Sequence, residues 1–260
     1  MTADNITATL ENLITSFANR KGKQRIEILE NLLDYIISFL DPTGSPVEGW
    51  KYKGDDNRAF YEMFQEYLNL MKKGTAIHEW YDAWGDMFMS LITKGGAKGQ
   101  FFTPPSLCDL IAETTIGEND DFSHKGITTT FGHRICISDP AAGSSRNLLA
   151  AHTRLLHLKQ KKPYLVAEDL DLLCCKMSAV NMAVHGCYGE VICHDSISEP
   201  DKVKFGWKIN EAMYPLPSEI PSIRRCDDAR CFLATRMWQE RKSEPVPQPK
   251  PKEPVQLTIF

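Results

Sequence analysis

Between residues 135 and 193 the chain alternates short apolar runs with amphipathic stretches, and few folds accommodate that order. Ile135-Cys136-Ile137 is followed by a helical pattern from about Arg146 to Leu158, then by Tyr164-Leu165-Val166. A second helical pattern runs from about Leu172 to His185, closes at Gly186, and leads into Val191-Ile192-Cys193. Strand, helix, strand, helix, strand at this spacing predicts a parallel, doubly wound α/β sheet with right-handed crossovers.

The preceding residues read differently. Ile6, Leu10, Leu13, Ile14 and Phe17 share one helical face, and so do Leu29, Leu32, Leu33, Ile36, Ile37 and Leu40, before Asp41-Pro42 ends the second helix. A third helix is expected from about Asp56 to Lys73, and a fourth carries Trp80, Trp84, Met87, Phe88 and Leu91. Aromatics at this spacing fit a packed core better than a base-stacking surface. The glycine-rich stretch Lys94 to Gly99 then marks a hinge, and prolines at 245, 247, 249, 251 and 254 mark an extended tail. The expected division is an all-helical N-terminal domain over 1–94, an α/β core over 95–242, and a disordered Pro-rich tail over 243–260.

Composition removes several classes. With 42% hydrophobic residues the chain can bury a sizeable core. No apolar run approaches the roughly 20 residues of a membrane span, and the N-terminus is no signal peptide, so a cytoplasmic protein is expected. A net charge of -4 gives no global basic field, so any contact with nucleic acid must be local. One such place is Asp201 to Lys242, where nine Lys and Arg face six Asp and Glu. The eight cysteines show no C-x-x-C spacing and are expected reduced. His185, Cys187, Cys193 and His194 lack the paired spacing of structural zinc, so no metal is expected.

The chemistry concentrates after the first strand, in Ser138-Asp139-Pro140-Ala141-Ala142-Gly143-Ser144-Ser145. Ligands of doubly wound sheets bind at the carboxyl ends of the strands, and small residues let a ligand approach the backbone. Asp139 there suits a cationic amine and would repel a pyrophosphate. Glu168 and Asp169 end the second strand, where an acid can hold a ribose diol, and Asp195 ends the third, where a carboxylate can accept from an adenine amino group. An amine, a ribose and an adenine together describe S-adenosylmethionine as the cofactor.

Gly99-Gln100-Phe101-Phe102-Thr103-Pro104 followed by Asp139-Pro140-Ala141-Ala142-Gly143-Ser144 resembles the paired G-x-[FY]-[FY]-T-P and D-P-A-C-G-S-G motifs of adenine-specific (N6) DNA methyltransferases, in particular the modification subunits of type I restriction-modification systems. The likeness runs over roughly residues 76 to 198, through Val166 to Asp169, Asn181 to Gly186 and His194-Asp195-Ser196. It implies a Rossmann-like methyltransferase core, methyl transfer to adenine N6 in DNA, and an N-terminal helical domain that closes over DNA. It further implies that Phe101, Phe102, Thr103 and Pro104 line the cofactor pocket with Pro140 and Ala141. Asp139 and Gly143 would border the methionine part, Asp169 or Glu168 would hold the ribose, and Asp195 the adenine.

The chain departs from that family in two places. Ser145 stands where the family carries glycine. The N-P-P-[FYW] motif, which accepts the hydrogens of the adenine amine and stacks on the flipped base, is absent after Asp195. The nearest substitutes are Asn210 and the Tyr214-Pro215 pair. Other expectations stand beside the enzyme: a non-catalytic scaffold, a chain that needs a specificity or catalytic partner subunit, or a methyltransferase of small molecules or proteins. The terminal Gln256-Leu257-Thr258-Ile259-Phe260 resembles the short peptides that dock on the DNA polymerase sliding clamp, with Gln256, Leu257, Ile259 and Phe260 as the contacts.

Overall fold

The computed structural model describes residues 6–47, 49–93, 102–122, 126–129, 132–199, 202–203, 205–211, 220–233 and 235. The hinge at 94–99, Phe101, Tyr214, Pro215 and the tail over 243–260 lie outside the described residues.

The N-terminal part is helical, as its periodicity requires: α1 (Ala8–Lys21), α2 (Arg25–Phe39), α3 (Asp55–Thr75) and α4 (Ala83–Thr93). Gly22 ends α1 in the left-handed conformation, at φ 63°, and its N–H reaches back to the last carbonyls. Helix α5 (Pro105–Thr115) begins at a proline, whose missing N–H costs nothing in a first turn. A small antiparallel ribbon, β1 (Ile127–Thr129) and β2 (Gly132–Arg134), precedes the main sheet.

That sheet has the order β3 (Cys136–Asp139), β4 (Tyr164–Asp169), β5 (Tyr188–Cys193), β6 (Phe205–Ile209), β7 (Ile223–Cys226), with α6 (Arg146–His157) and α7 (Leu172–Val184) as crossovers. Strands β3, β4 and β5 are parallel, as expected, but β6 pairs antiparallel with both β5 and β7. Among the described residues the sheet is therefore mixed and winds one way, its strand order following the sequence and not reversing as in a doubly wound sheet. Only residues 194–204 separate β5 from β6, fewer than the dozen or so that a parallel crossover takes, so the chain turns back.

One face of the sheet carries Leu165, Ala167, Val191, Trp207, Ile209 and Ile223, in a single apolar cluster with Leu148 of α6, Met177 of α7 and the N-terminal helices. On the other face Ile127 and Phe232 pack against Tyr164, Val166, Tyr188, Ile192 and Cys226 of the strands. The helices before residue 94 thus share their core with the strands. Polar contacts cross the same junction: Lys176 on α7 meets Glu30 and Asp34 of α2, and the Ile223 N–H donates to the Leu40 carbonyl at 2.9 Å. None of the eight cysteines is in a disulfide. Among the described residues no helix is long and apolar enough to cross a membrane.

Candidate functional site

Strand β3 delivers Asp139 to the carboxyl end of the sheet, and the chain turns through Pro140–Ser145 into α6. The turn is held from several directions. Asp139 Oδ1 accepts from the Ala141 N–H at 3.1 Å, and Oδ2 accepts from Asn147 Nδ2 at 3.3 Å. The Ala142 N–H donates to the Glu168 carbonyl at 2.9 Å, and the Gly143 N–H donates to Asp169 Oδ2 at 2.9 Å. Ser196, after β5, donates its hydroxyl to the Pro140 carbonyl at 2.8 Å. These bonds bring the ends of β3, β4 and β5 together, and with them Asp139, Asp169 and Asp195.

Gly143 has φ 57° and lies under the ring of Phe102; a Cβ on it would come within 2.8 Å of two ring carbons. Both backbone and space therefore require glycine. Phe102 packs on Phe88 of α4, and Thr103 is tied down by Arg146, whose Nη1 donates to its carbonyl at 3.2 Å. Pro104 is exposed and caps α5.

The acids differ in environment. Burial raises the Asp169 carboxyl above the ordinary aspartate value, partly offset by the N–H groups of Asp171 and Gly143. Asp195 is held below the ordinary value, first by the Ser198 N–H and then by that of Ile197, both bonded to its Oδ1. Glu168 is nearly inaccessible: Oε2 meets His194 Nε2 at 2.6 Å and Oε1 accepts from the Ser138 hydroxyl at 3.1 Å. Both its oxygens are engaged, whereas Asp169 is partly exposed beside the turn.

Behind the turn sits a network that no motif reading singled out. Asp82, 3% exposed, accepts from Arg146 Nε and the Ser144 hydroxyl, both at 2.6 Å, from Asn181 Nδ2 at 2.7 Å and from the Gly85 N–H at 2.8 Å. Arg146 also donates to Asp86 at 2.6 Å. Ser145 donates to Ser178 at 2.7 Å, and Ser178 to the Gly143 carbonyl at 2.8 Å. The available signal was an acid inside an aromatic stretch, Trp80-Tyr81-Asp82-Ala83-Trp84, where a charge has no place unless it is paired.

Asn210 is a correction. It ends β6, and Ile209 pairs with Gly189 at the start of β5, so it lies at the opposite end of the sheet from the acids. It is 1% exposed, and its amide is consumed: Nδ2 donates to the carbonyls of Ala183 and Cys187, and Oδ1 accepts from the Ser222 N–H. It holds the end of α7 to the sheet and takes no part in the cleft.

Residues 80–212, half of the chain, match the N-6 DNA methylase family. None of the curated proteins and none of the solved structures compared with it matches. The matched region holds the Asp82–Arg146 network, the turn beneath Phe102 and the three strand ends with their acids, and on that match the chain belongs to the N-6 DNA methylase family.

Proposed function

We propose that the surface at the ends of β3, β4 and β5, beside the Gly143 turn, binds S-adenosylmethionine and that the chain serves methyl transfer to adenine N6 in DNA. The observation that carries this reading is Gly143 itself, a left-handed glycine with no room for a Cβ, its amide held by an acid from the next strand and its surface roofed by Phe102. Phe102 fills the space over Gly143, so the closed turn is the floor and the ligand lies beside it, against the partly exposed Asp139 and the exposed Pro140 and Ala141. Asp139 attracts the ammonium group of the amino-acid part, with Pro140 and Ala141 beside it. Asp169 keeps a second lone pair on each oxygen after its bonds to Gly143 and Asp171, enough to accept from two ribose hydroxyls. Asp195 uses Oδ1 within its own turn, which leaves Oδ2 for the adenine amine. When bound, the cofactor supplies an electrophilic methyl group on a sulfonium sulfur.

What the chain's residues do is bind and orient. Phe102, Thr103 and Pro104 close one wall, and the Asp82–Arg146 network keeps that wall registered to the turn. The DNA substrate follows the family, and a role in restriction-modification follows the type I resemblance. The clamp contact of Gln256, Leu257, Ile259 and Phe260 remains a separate proposal. Calorimetric titration of the full chain with S-adenosylmethionine tests the pocket: saturable one-to-one binding is expected, lost in Asp139→Ala. No binding at millimolar donor would overturn it.

A further inference from the structure

Strand β3, which carries Asp139, is the edge of the sheet, and among the described residues no strand lies on its other side. In open α/β sheets the ligand crevice forms where the strand order reverses, with strands leaving the first one in both directions. Here the order leaves β3 in one direction only, so the cleft proposed above has one wall of strands.

The edge is shaped to receive another. The Tyr164 N–H donates to the Ile135 carbonyl at 2.7 Å, so the alternation of a parallel ladder turns the N–H and C=O of Ser138 away from β4. Ser138 is exposed, whereas every residue of β5 is buried. Helix α5 packs against α6 and overhangs this edge, and beneath it lies a groove of about 430 Å³ lined by Ile111, Thr115, Ile116, Ile135 and Ile137 among others. On the same helix Leu107, Leu110 and Ile111 are 45%, 54% and 39% exposed, an apolar stripe at helical spacing with little packed against it.

We propose that this groove receives a β-strand of a second polypeptide, added parallel to β3 beneath α5. The backbone edge selects an extended strand, and the helical roof selects apolar side chains on the face turned to it. Charge selects the flanks: Asp120 and Asp139 border the groove and, among the described residues, no Lys or Arg lines it, so basic residues belong beside the incoming strand. The same argument disfavours a second copy of this chain, which would bring the same two carboxylates to the contact. The outward N–H and C=O of Ser138 are where the strand pairing is centred. Parallel addition carries the partner's next residues to Asp139, at the mouth of the cleft. If the cleft serves adenine methylation, that is where an acceptor for the amine hydrogens is needed, and Asn210 at the far end of the sheet cannot supply it.

The probe is a fluorescein-labelled synthetic peptide of alternating valine and threonine flanked by lysines, titrated by anisotropy into the full chain without cofactor. Saturable binding is expected, weakened at least about tenfold by a central proline in the peptide and by Ile111→Lys or Ser138→Pro in the protein. Ile111 is exposed, so its variant reads binding without endangering the fold; melting temperature checks the proline variant. Equal affinity for the proline peptide, or indifference to both variants, overturns the proposal. So does a dimer that Ile111→Lys dissolves, which assigns the groove to a second copy, and so does binding that appears only after deletion of residues 236–260, which assigns it to the chain's own tail. Because no cofactor is present, failure of the pocket reading in the calorimetric titration leaves this result standing, and the reverse.

Discussion

The segment from Asp139 to Arg146 has two sides in opposite surroundings. Its later residues, Ser144, Ser145 and Arg146, are at most 6% exposed, and each donates from its side chain to the buried Asp82 or Ser178. Its first residues, Asp139, Pro140 and Ala141, are partly or fully exposed, and Asp139 bonds only to residues a turn away. The difference shows how such a cleft is built. The shape of the turn is fixed from behind by polar groups that have nothing to do with a ligand, so the front needs no ligand to order it. Substitutions on the two sides should therefore fail in different ways.

The largest effect belongs to the inner side. Asp82→Ala leaves the Arg146 guanidinium buried without its main partner, and losing one member of a buried pair costs about 3–5 kcal/mol. Denaturant unfolding should show that loss directly. Asp139→Ala gives up two partly exposed hydrogen bonds and should cost about 1 kcal/mol in the same assay, well below Asp82→Ala, while abolishing donor binding. Equal stability losses for the two would erase the distinction between the sides.

The inner side should also carry a pH signature. His152 on α6 is 3% exposed, neither ring nitrogen has a partner among the described residues, and burial pushes its pKa down to about 4. Its folded value lies below the unfolded value near 6.5, so the unfolded chain binds the proton more tightly. Stability is complete above about pH 6.5 and is lost as pH falls towards 4, by up to about 3 kcal/mol from this residue. His152→Leu should flatten that limb of the stability profile; an unchanged slope would place the acid sensitivity elsewhere.

How much of this was legible beforehand divides along the same line. The three parallel strands and their two helices follow from periodicity, because each buries a face whose period the sequence displays. Asp139, Gly143, Asp169 and Asp195 could be placed at one end of the sheet because strand ends and small-residue turns leave a local signature. The single direction of winding was hidden, since pattern shows that strands exist and not which neighbours they take. Asp82 and Asn181 meet across 99 positions, and a pairing that distant has no local trace. Asn210 was offered only as the nearest asparagine after Asp195, and nearness in sequence does not tell which end of the sheet a residue reaches once the strand runs the other way.

A smaller effect is expected on the outer side. Asp169→Asn keeps one acceptor oxygen and loses the charge, and should weaken the donor by about 1–3 kcal/mol in calorimetry. In the parent, ribose binding needs the ionised carboxylate, and burial raises its pKa. Affinity should therefore begin to fall, as pH is lowered, above the range in which an ordinary aspartate near 3.9 titrates. The variant should lose that dependence, and a pH profile shared by both proteins would remove Asp169 from the ribose.

The smallest effect sits where the two sides meet. Ser145 caps α6 in the left-handed conformation, with φ 73°, a backbone that costs a residue with a Cβ about 1–2 kcal/mol. Its hydroxyl recovers part of this through the 2.7 Å bond to Ser178, worth about 0.5–1.5 kcal/mol. Ser145→Gly removes both contributions together, and Ser178 still donates to the Gly143 carbonyl afterwards, so no buried donor is stranded. The unfolding free energy should move by no more than about 1 kcal/mol in either direction. Adding Ser178→Ala should then cost more than the single change, because the Gly143 carbonyl loses its donor at the floor of the cleft. A large loss from Ser145→Gly alone would mean that the hydroxyl pair, rather than the Asp82 network behind it, sets the shape of the turn.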